Sequence, residues 1–220
     1  MARVTEAHVD ARKAQILDAA WDCFARRGYH QTTMQDIAGT AGISAGAIYR
    51  YFPGKEAVLG AINARLREQR KQIVTQVRAS TDDPLAVLRT IGGYMMAAFT
   101  HPGFETDARI NMEIWPEVIR NRKLKEDLQD DLAYWREVVT TLLAAAQKRG
   151  EIPEHTKPES LVILFICAYE GLRHYALVDP EHFSVERLAE AMWTLFGTDN
   201  VGDLEELLGG LGARTQNGGS

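Results

Sequence analysis

Between residues 33 and 55 the chain brings together Thr33, the run Ser44-Ala45-Gly46, and then Tyr49, Arg50 and Lys55. Hydroxyls, a phenol and cations in so short a span suit hydrogen bonding and charge pairing to phosphate oxygens. Small residues beside them let a helix end approach another surface closely. Covalent chemistry has no such footing. The sequence contains no Gly-x-x-x-x-Gly-Lys-Ser/Thr, no His-Glu-x-x-His and no strand to support Gly-x-Ser-x-Gly. Gly209-Gly210-Leu211-Gly212 has no strand before it. The histidines at 8, 30, 101, 155, 174 and 182 lack metal-ligand spacing. Cys23 and Cys167 each stand alone in an apolar helical pattern and read as core thiols. No catalytic residue, metal site or cofactor is expected.

The elements that position these residues are helices. Apolar spacing of three and four recurs from residue 10 to residue 197, and strand-type alternation does not persist, so the fold class is all-α. A first helix over Asp10–Arg27 carries Ile16, Leu17, Ala20, Trp21 and Phe24, and Gly28 ends it. Thr33 caps a second, with Met34, Ile37, Ala38 and Ala41 inward and Asp36 at the capping-box position. After Gly42, Ser44 caps a third helix that runs through Tyr51. Its inward residues are Ala47, Ile48 and either Tyr51 or Phe52, and Pro53-Gly54 closes it. A long fourth helix, Lys55 to about Arg78, looks like the link to a second domain. Further helices are expected over Pro84–Thr100, Phe104 to about Trp115, Asn121–Arg149, Pro158–Val178 and Ser184–Phe196.

Two short helices around an Ala-Gly-Ile-Ser turn, with Ala38, Ala41 and Gly42 small enough for close packing, describe a helix-turn-helix. Such a motif puts the N-terminal end of its second helix into the major groove. The first outward residues must then be small or polar, as Ser44, Ala45 and Gly46 are. The flanks must reach phosphates, a requirement that Thr33, Tyr49, Arg50 and Lys55 meet. Tyr51 and Phe52 fit the core better than the DNA face.

Residues 29–38 (Tyr-His-Gln-Thr-Thr-Met-Gln-Asp-Ile-Ala), Ala41-Gly42-Ile43-Ser44, residues 46–52 (Gly-Ala-Ile-Tyr-Arg-Tyr-Phe) and Lys55-Glu56-Ala57-Val58-Leu59 together resemble the DNA-binding domain of the TetR family of transcriptional regulators. The resemblance covers residues 10 to about 59, and the region from about 84 onward more weakly resembles the BetI-like type of C-terminal domain. It implies that Thr33 donates to a phosphate, Tyr49 and Arg50 clamp the DNA backbone, Lys55 meets a further phosphate, and Ser44, Ala45 and Gly46 face bases. Ala45 and Gly46 offer almost no hydrogen bonds, so DNA shape should carry much of the selectivity. Arg3 and Arg12 add contacts from an N-terminal arm.

The expected organisation is a helix-turn-helix domain over 1–56, whose first ten residues form an arm, a helical ligand-binding and dimerisation domain over 57–197, and a flexible tail over 198–220. The head has seven Lys/Arg against six Asp/Glu within a chain of net charge −5, which fits local phosphate contact better than broad adhesion to nucleic acid. The segment Leu161–Tyr169 is apolar throughout and, with Trp193, Leu195 and Phe196, is the expected homodimer interface, for which Leu161, Phe165, Trp193 and Phe196 are named. Met95, Phe99, Phe104, Met112, Trp115, Tyr134, Trp135 and Tyr169 are candidates to line an effector pocket, although aromatic and thioether side chains fill ordinary cores equally well. Glu113, Glu170 and His174 are candidate polar anchors for it, although Glu170 and His174, one helical turn apart, read rather as a solvated surface pair.

The expected partners are a double-stranded, palindromic DNA operator, a small-molecule effector and a second copy of the chain. No membrane partner is expected, and the location is cytoplasmic. The function implied is a ligand-released repressor. A helical adaptor that binds only protein is the alternative, and an enzyme is not expected.

Overall fold

The computed structural model describes residues 6–188 and 191, and every regular element in that range is helical. The all-α expectation holds. The helices are α1 (Glu6–Arg27), α2 (Met34–Thr40), α3 (Ala45–Ile48), α4 (Lys55–Ser80), α5 (Pro84–Ala97) with a 3-10 turn over Ala98–Thr100, α6 (Phe104–Arg120), α7 (Arg122–Lys148) and α8 (Pro158–Val178).

Local chemistry sets most of their ends. Gly28 stops α1 in the left-handed region at φ +78°, and its N–H donates to Phe24 O at 2.8 Å. Gly42 ends α2 in a Schellman motif, with Ile43 N–H donating to Ala38 O and Gly42 N–H to Gly39 O. Gly150 repeats that motif after α7. Asp83 and Pro84 open α5, and Pro158 opens α8.

Three helices differ from the sequence expectation, the first being α1, which begins at Glu6 rather than near Asp10, so that residues 6–10 of the expected arm are helical. α3 ends at Ile48, short of the expected Tyr51. The following turn tightens, with Arg50 N–H on Ala47 O at 3.2 Å and Tyr51 N–H on Ile48 O at 3.0 Å. α6 continues through Pro116 to Arg120 rather than ending near Trp115. The proline ring lies on the exposed side, while Ile114 and Val118 bury the opposite face and hold the helix across the missing N–H.

The described chain forms two compact units. One runs to Lys71 and includes Arg109–Asp131; the other comprises Gln72–Ala108 and the chain from Leu132 onward. The division therefore falls inside α4, later than the sequence boundary at 56/57. A three-helix head of about 50 residues has only a small core of its own to bury. Val58, Leu59 and Ile62 of α4 and Ile110, Ile114 and Val118 of α6 complete a core with Ile16, Phe24, Ile37 and Ile48.

The second unit holds a cluster around Val74, Val87, Ile91, Val138 and Leu142 and another around Phe99, Ala176 and Val185. Val185 begins a run of helical residues over 185–188; Arg3, Trp193, Phe196 and the 198–220 segment lie outside the described residues. Among the described residues, α8 alone is long and apolar enough to cross a membrane by length and composition, and it carries Glu159, Glu170 and Arg173. Cys23 is buried as expected, whereas Cys167 is exposed. α8 is apolar on nearly every side, so once Val162 and Ala176 face the core the opposite side, with Cys167 on it, faces outward.

Candidate nucleic-acid interface

The site begins at the cap of α2. Thr33 has extended backbone (φ −107°, ψ 161°), and its hydroxyl oxygen accepts from Asp36 N–H at 3.1 Å. The Asp36 carboxylate in turn accepts from Thr33 N–H at 2.9 Å and from the Thr33 hydroxyl at 2.7 Å. Arg27 from α1 adds a 2.6 Å ion pair to the same carboxylate. Hydrogen bonds from the Thr33 side chain and backbone, and then the Arg27 charge, hold the Asp36 pKa below the usual carboxylate range. The single hydroxyl proton of Thr33 is thus already directed at Asp36.

Ser44 caps α3 by accepting from Ala47 N–H at 3.2 Å. Gln15 of α1 reaches the intervening turn, donating to Ala41 O at 2.8 Å. Ile48 and Phe52 are buried in the first unit's core, and Tyr51 packs against it partly buried. This inward set leaves Ser44, Ala45, Gly46, Tyr49 and Arg50 exposed on the other side, Tyr49 at 54%. None of the ion pairs among the described residues uses Arg50.

Lys55 sits differently from the phosphate contact expected of it. Its ammonium donates to Tyr29 O at 2.6 Å, Thr32 O at 3.0 Å and His30 O at 3.2 Å, using all three N–H groups. It also lies 4.3 Å from the centre of the buried Tyr29 ring. Desolvation lowers the Lys55 pKa against the opposing pull of Glu56 and Glu117. The Tyr29 phenol is pushed up to about 12, mainly by burial and then by the same two carboxylates. Lys55 therefore ties down the α1–α2 turn. Its partners lie 23 to 26 residues away, beyond the reach of helical periodicity. Arg12 of the expected arm donates to Gln15 Oε1 at 2.7 Å.

The residues expected in an effector pocket divide into groups. Phe99 stands at the centre of an aromatic cluster in the second unit, its ring 5.0 Å from Phe104, 5.1 Å from Phe183 and 5.6 Å from Tyr169. Phe183 was not legible in the sequence, because it follows α8 in a Pro180-led turn without helical period. Met95, Tyr134 and Trp135 pack instead on the Val74–Val87–Ile91 cluster, with the last two rings 5.6 Å apart. Met112 and Trp115 belong to the first unit, and Met112 is 42% exposed.

Glu113 also belongs to the first unit, where it accepts a hydrogen bond from Tyr29 N–H. Glu170 and His174 depart from the expected solvated pair. Glu170 Oε2 and His174 Nε2 are buried without a hydrogen-bond partner, and Arg173 stands 3.7 Å from the other Glu170 oxygen. On α8, Leu161 and Phe165 are half-buried, and the outward stripe consists of Ile163, Leu164, Cys167, Ala168, Gly171, Tyr175 and Val178.

A short capped helix, a glycine turn and a second short helix whose N-terminal edge is exposed and whose other face is buried define a helix-turn-helix DNA-binding protein. Residues 16–62 match the profile of bacterial regulatory proteins of the tetR family, and residues 93–195 match that of the BetI-type transcriptional repressor C-terminal domain. The chain belongs to the TetR family and is a ligand-responsive, DNA-binding transcriptional repressor.

It is similar to the HTH-type transcriptional regulator TtgR of Pseudomonas putida, with 26% identity over 210 residues that cover 90% of this chain and 95% of that protein. Among solved structures it resembles SmeT, the repressor of the Stenotrophomonas maltophilia multidrug efflux pump SmeDEF, at 28% identity and TM-score 0.62, covering 80% of this chain and 83% of the other. A transcriptional regulator from Saccharomonospora viridis in complex with choline shares the fold at TM-score 0.73 and 21% identity, covering 86% of this chain and 97% of the other.

Proposed function

We propose that this chain acts as a homodimer that holds a palindromic operator through two copies of the 33–50 surface and releases it when a small molecule binds the second unit. The observation that carries the reading is the split of α3 and its following turn, with Ile48 and Phe52 buried and Ser44, Ala45, Gly46, Tyr49 and Arg50 outward. Ser44, Ala45 and Gly46 face the bases, and Tyr49 and Arg50 clamp the flanking phosphates. Thr33 contributes by holding α2 in place, and it meets a phosphate only by giving up its proton bond to Asp36. Lys55 contributes by fixing the turn.

The outward stripe of α8, from Ile163 and Leu164 to Val178, supports a two-fold helical interface, since contiguous apolar surface of this kind is rarely left in water. The Phe99 cluster and the unpartnered polar atoms of Glu170 and His174 support an effector with an apolar body and a polar group. Choline, bound by the S. viridis regulator, is a reasonable first probe. A cytoplasmic, non-enzymatic regulator is the setting this implies.

Selection of bound duplexes from a random pool, followed by titration of the winner at two salt concentrations, tests the reading. A palindromic winner bound by a dimer with steep salt dependence is the expected result. No enrichment over random duplex overturns it and favours a protein-binding adaptor.

A further inference from the structure

The end of α1 leaves polar backbone groups that the helix itself cannot satisfy. Gly28 N–H takes Phe24 O, but Ala25 O and Tyr29 N–H still need partners. Both find them on α6. Arg109 Nη2 donates to Ala25 O at 3.1 Å, and Glu113 Oε2 accepts from Tyr29 N–H at 2.7 Å. Arg109 and Glu113 are one helical turn apart on the same face of α6, and all four residues lie within the first unit. The fit is close. A Cβ on Gly28 would stand 2.7 Å from Glu113 Oε2 and 2.9 Å from Oε1, at a residue whose φ of +78° already favours glycine. The backbone of the same short turn is held independently by Lys55, which accounts for the carbonyls of Tyr29, His30 and Thr32. Thr33, the cap that starts α2, follows directly.

A carboxylate at the C-terminal end of a helix opposes the helix dipole. Placing Glu113 there adds nothing to α1 unless the N–H of Tyr29 must be fixed, and Arg109 supplies the cation that the helix end favours. We propose that Arg109 and Glu113 are positioning residues for DNA binding: they clamp the α1–α2 turn, and so set the angle at which α2 presents α3, without touching DNA. The proposal rests on the helix-turn-helix reading above.

The test uses the full chain and the duplex obtained by selection, so a wild type that selects no duplex is a failure of the DNA reading, seen before any variant is made. Duplex affinity, its salt slope and hydrogen exchange at the Tyr29 amide are then measured for Glu113→Ala, Glu113→Gln and Arg109→Met. The expected result for Glu113→Ala is a rapidly exchanging Tyr29 amide and affinity weakened on the order of tenfold, with the salt slope unchanged because no phosphate contact is lost. Glu113→Gln keeps an oxygen to accept from Tyr29 N–H and restores both readouts. Arg109→Met weakens binding while leaving the Tyr29 bond, and it carries the test should Glu113→Ala fail to fold. Affinity within twofold of wild type in a folded Glu113→Ala variant whose Tyr29 amide has been freed overturns the proposal. So does an Arg109→Met variant with wild-type affinity, or a fall in salt slope for either residue.

Discussion

Asp36 and Lys55 are both charged and both near the proposed DNA-reading surface, yet their charges serve the protein's own backbone. Asp36 completes the α2 cap, and its pKa is lowered in the folded state through Thr33 and then Arg27. The stabilisation from this carboxylate is fully present above the unfolded-state pKa, about 3.9, and is lost as pH falls through the lowered folded value. Thermal melts of wild type and Asp36→Asn should therefore differ at pH 7 and converge under acid conditions; an unchanged gap in acid would show that the charge is not what matters. Replacing Thr33 by Ala removes the same cap from its other side and should cost about 1 kcal/mol in denaturant melts. Lys55→Met strips three carbonyls of their donor and should cost on the order of 2 kcal/mol. A Lys55→Met protein as stable as wild type, but with weakened salt dependence of DNA binding, would return this residue to the phosphate contacts.

Helix ends are the part of the architecture that one-dimensional pattern makes legible. Thr33, Ser44, Pro84 and Pro158 at starts, and Gly28, Gly42 and Gly150 at stops, act through contacts within a few residues, so their chemistry is local and readable. The bonds of Arg109 and Glu113 to the α1 end span 84 residues, and no periodicity in one helix announces a backbone group on another. Pro116 shows the opposite case: a strong local stop signal yields when burial of the opposite face keeps the helix in register.

The α8 surface shows the same limit at finer grain. An apolar run identifies the helix as one to be covered, but with no polar side to orient it the outward stripe falls on Ile163, Leu164 and Cys167 and leaves Leu161 and Phe165 half-buried. If two copies meet there, Leu164→Glu should convert the dimer to monomer in sedimentation while the helical signal persists. The Cys167 thiol should react slowly in the wild type and readily in that variant, with Cys23 slow in both. A wild-type Cys167 that reacts at the rate of a free thiol would place the interface elsewhere.

At the scale of the whole molecule, a net charge of −5 sets the chain against DNA in general, so binding must come from a small number of well-placed contacts. Each cation that neutralises a phosphate releases counterions and steepens the log–log dependence of affinity on salt by about 0.9. Arg50 is exposed and outside the described ion pairs, whereas Lys55 is spent on carbonyls. The proposed dimer would contribute Arg50 twice, and on that reading Arg50→Ala should lower the salt slope by about two and weaken all duplexes alike. Lys55→Met should leave the slope as it is and show its effect in stability. Ala45 is exposed on the edge proposed to face the groove and has no hydrogen bond to offer a base, so Ala45→Gln should alter which duplex is preferred without changing the slope. Titrating the three variants on the selected duplex and on a scrambled one, across a salt series, separates charge, scaffold and readout. A slope that falls by only one for Arg50→Ala would mean that a single head engages DNA at a time, and the palindromic operator would then have to be given up even if the dimer itself stood.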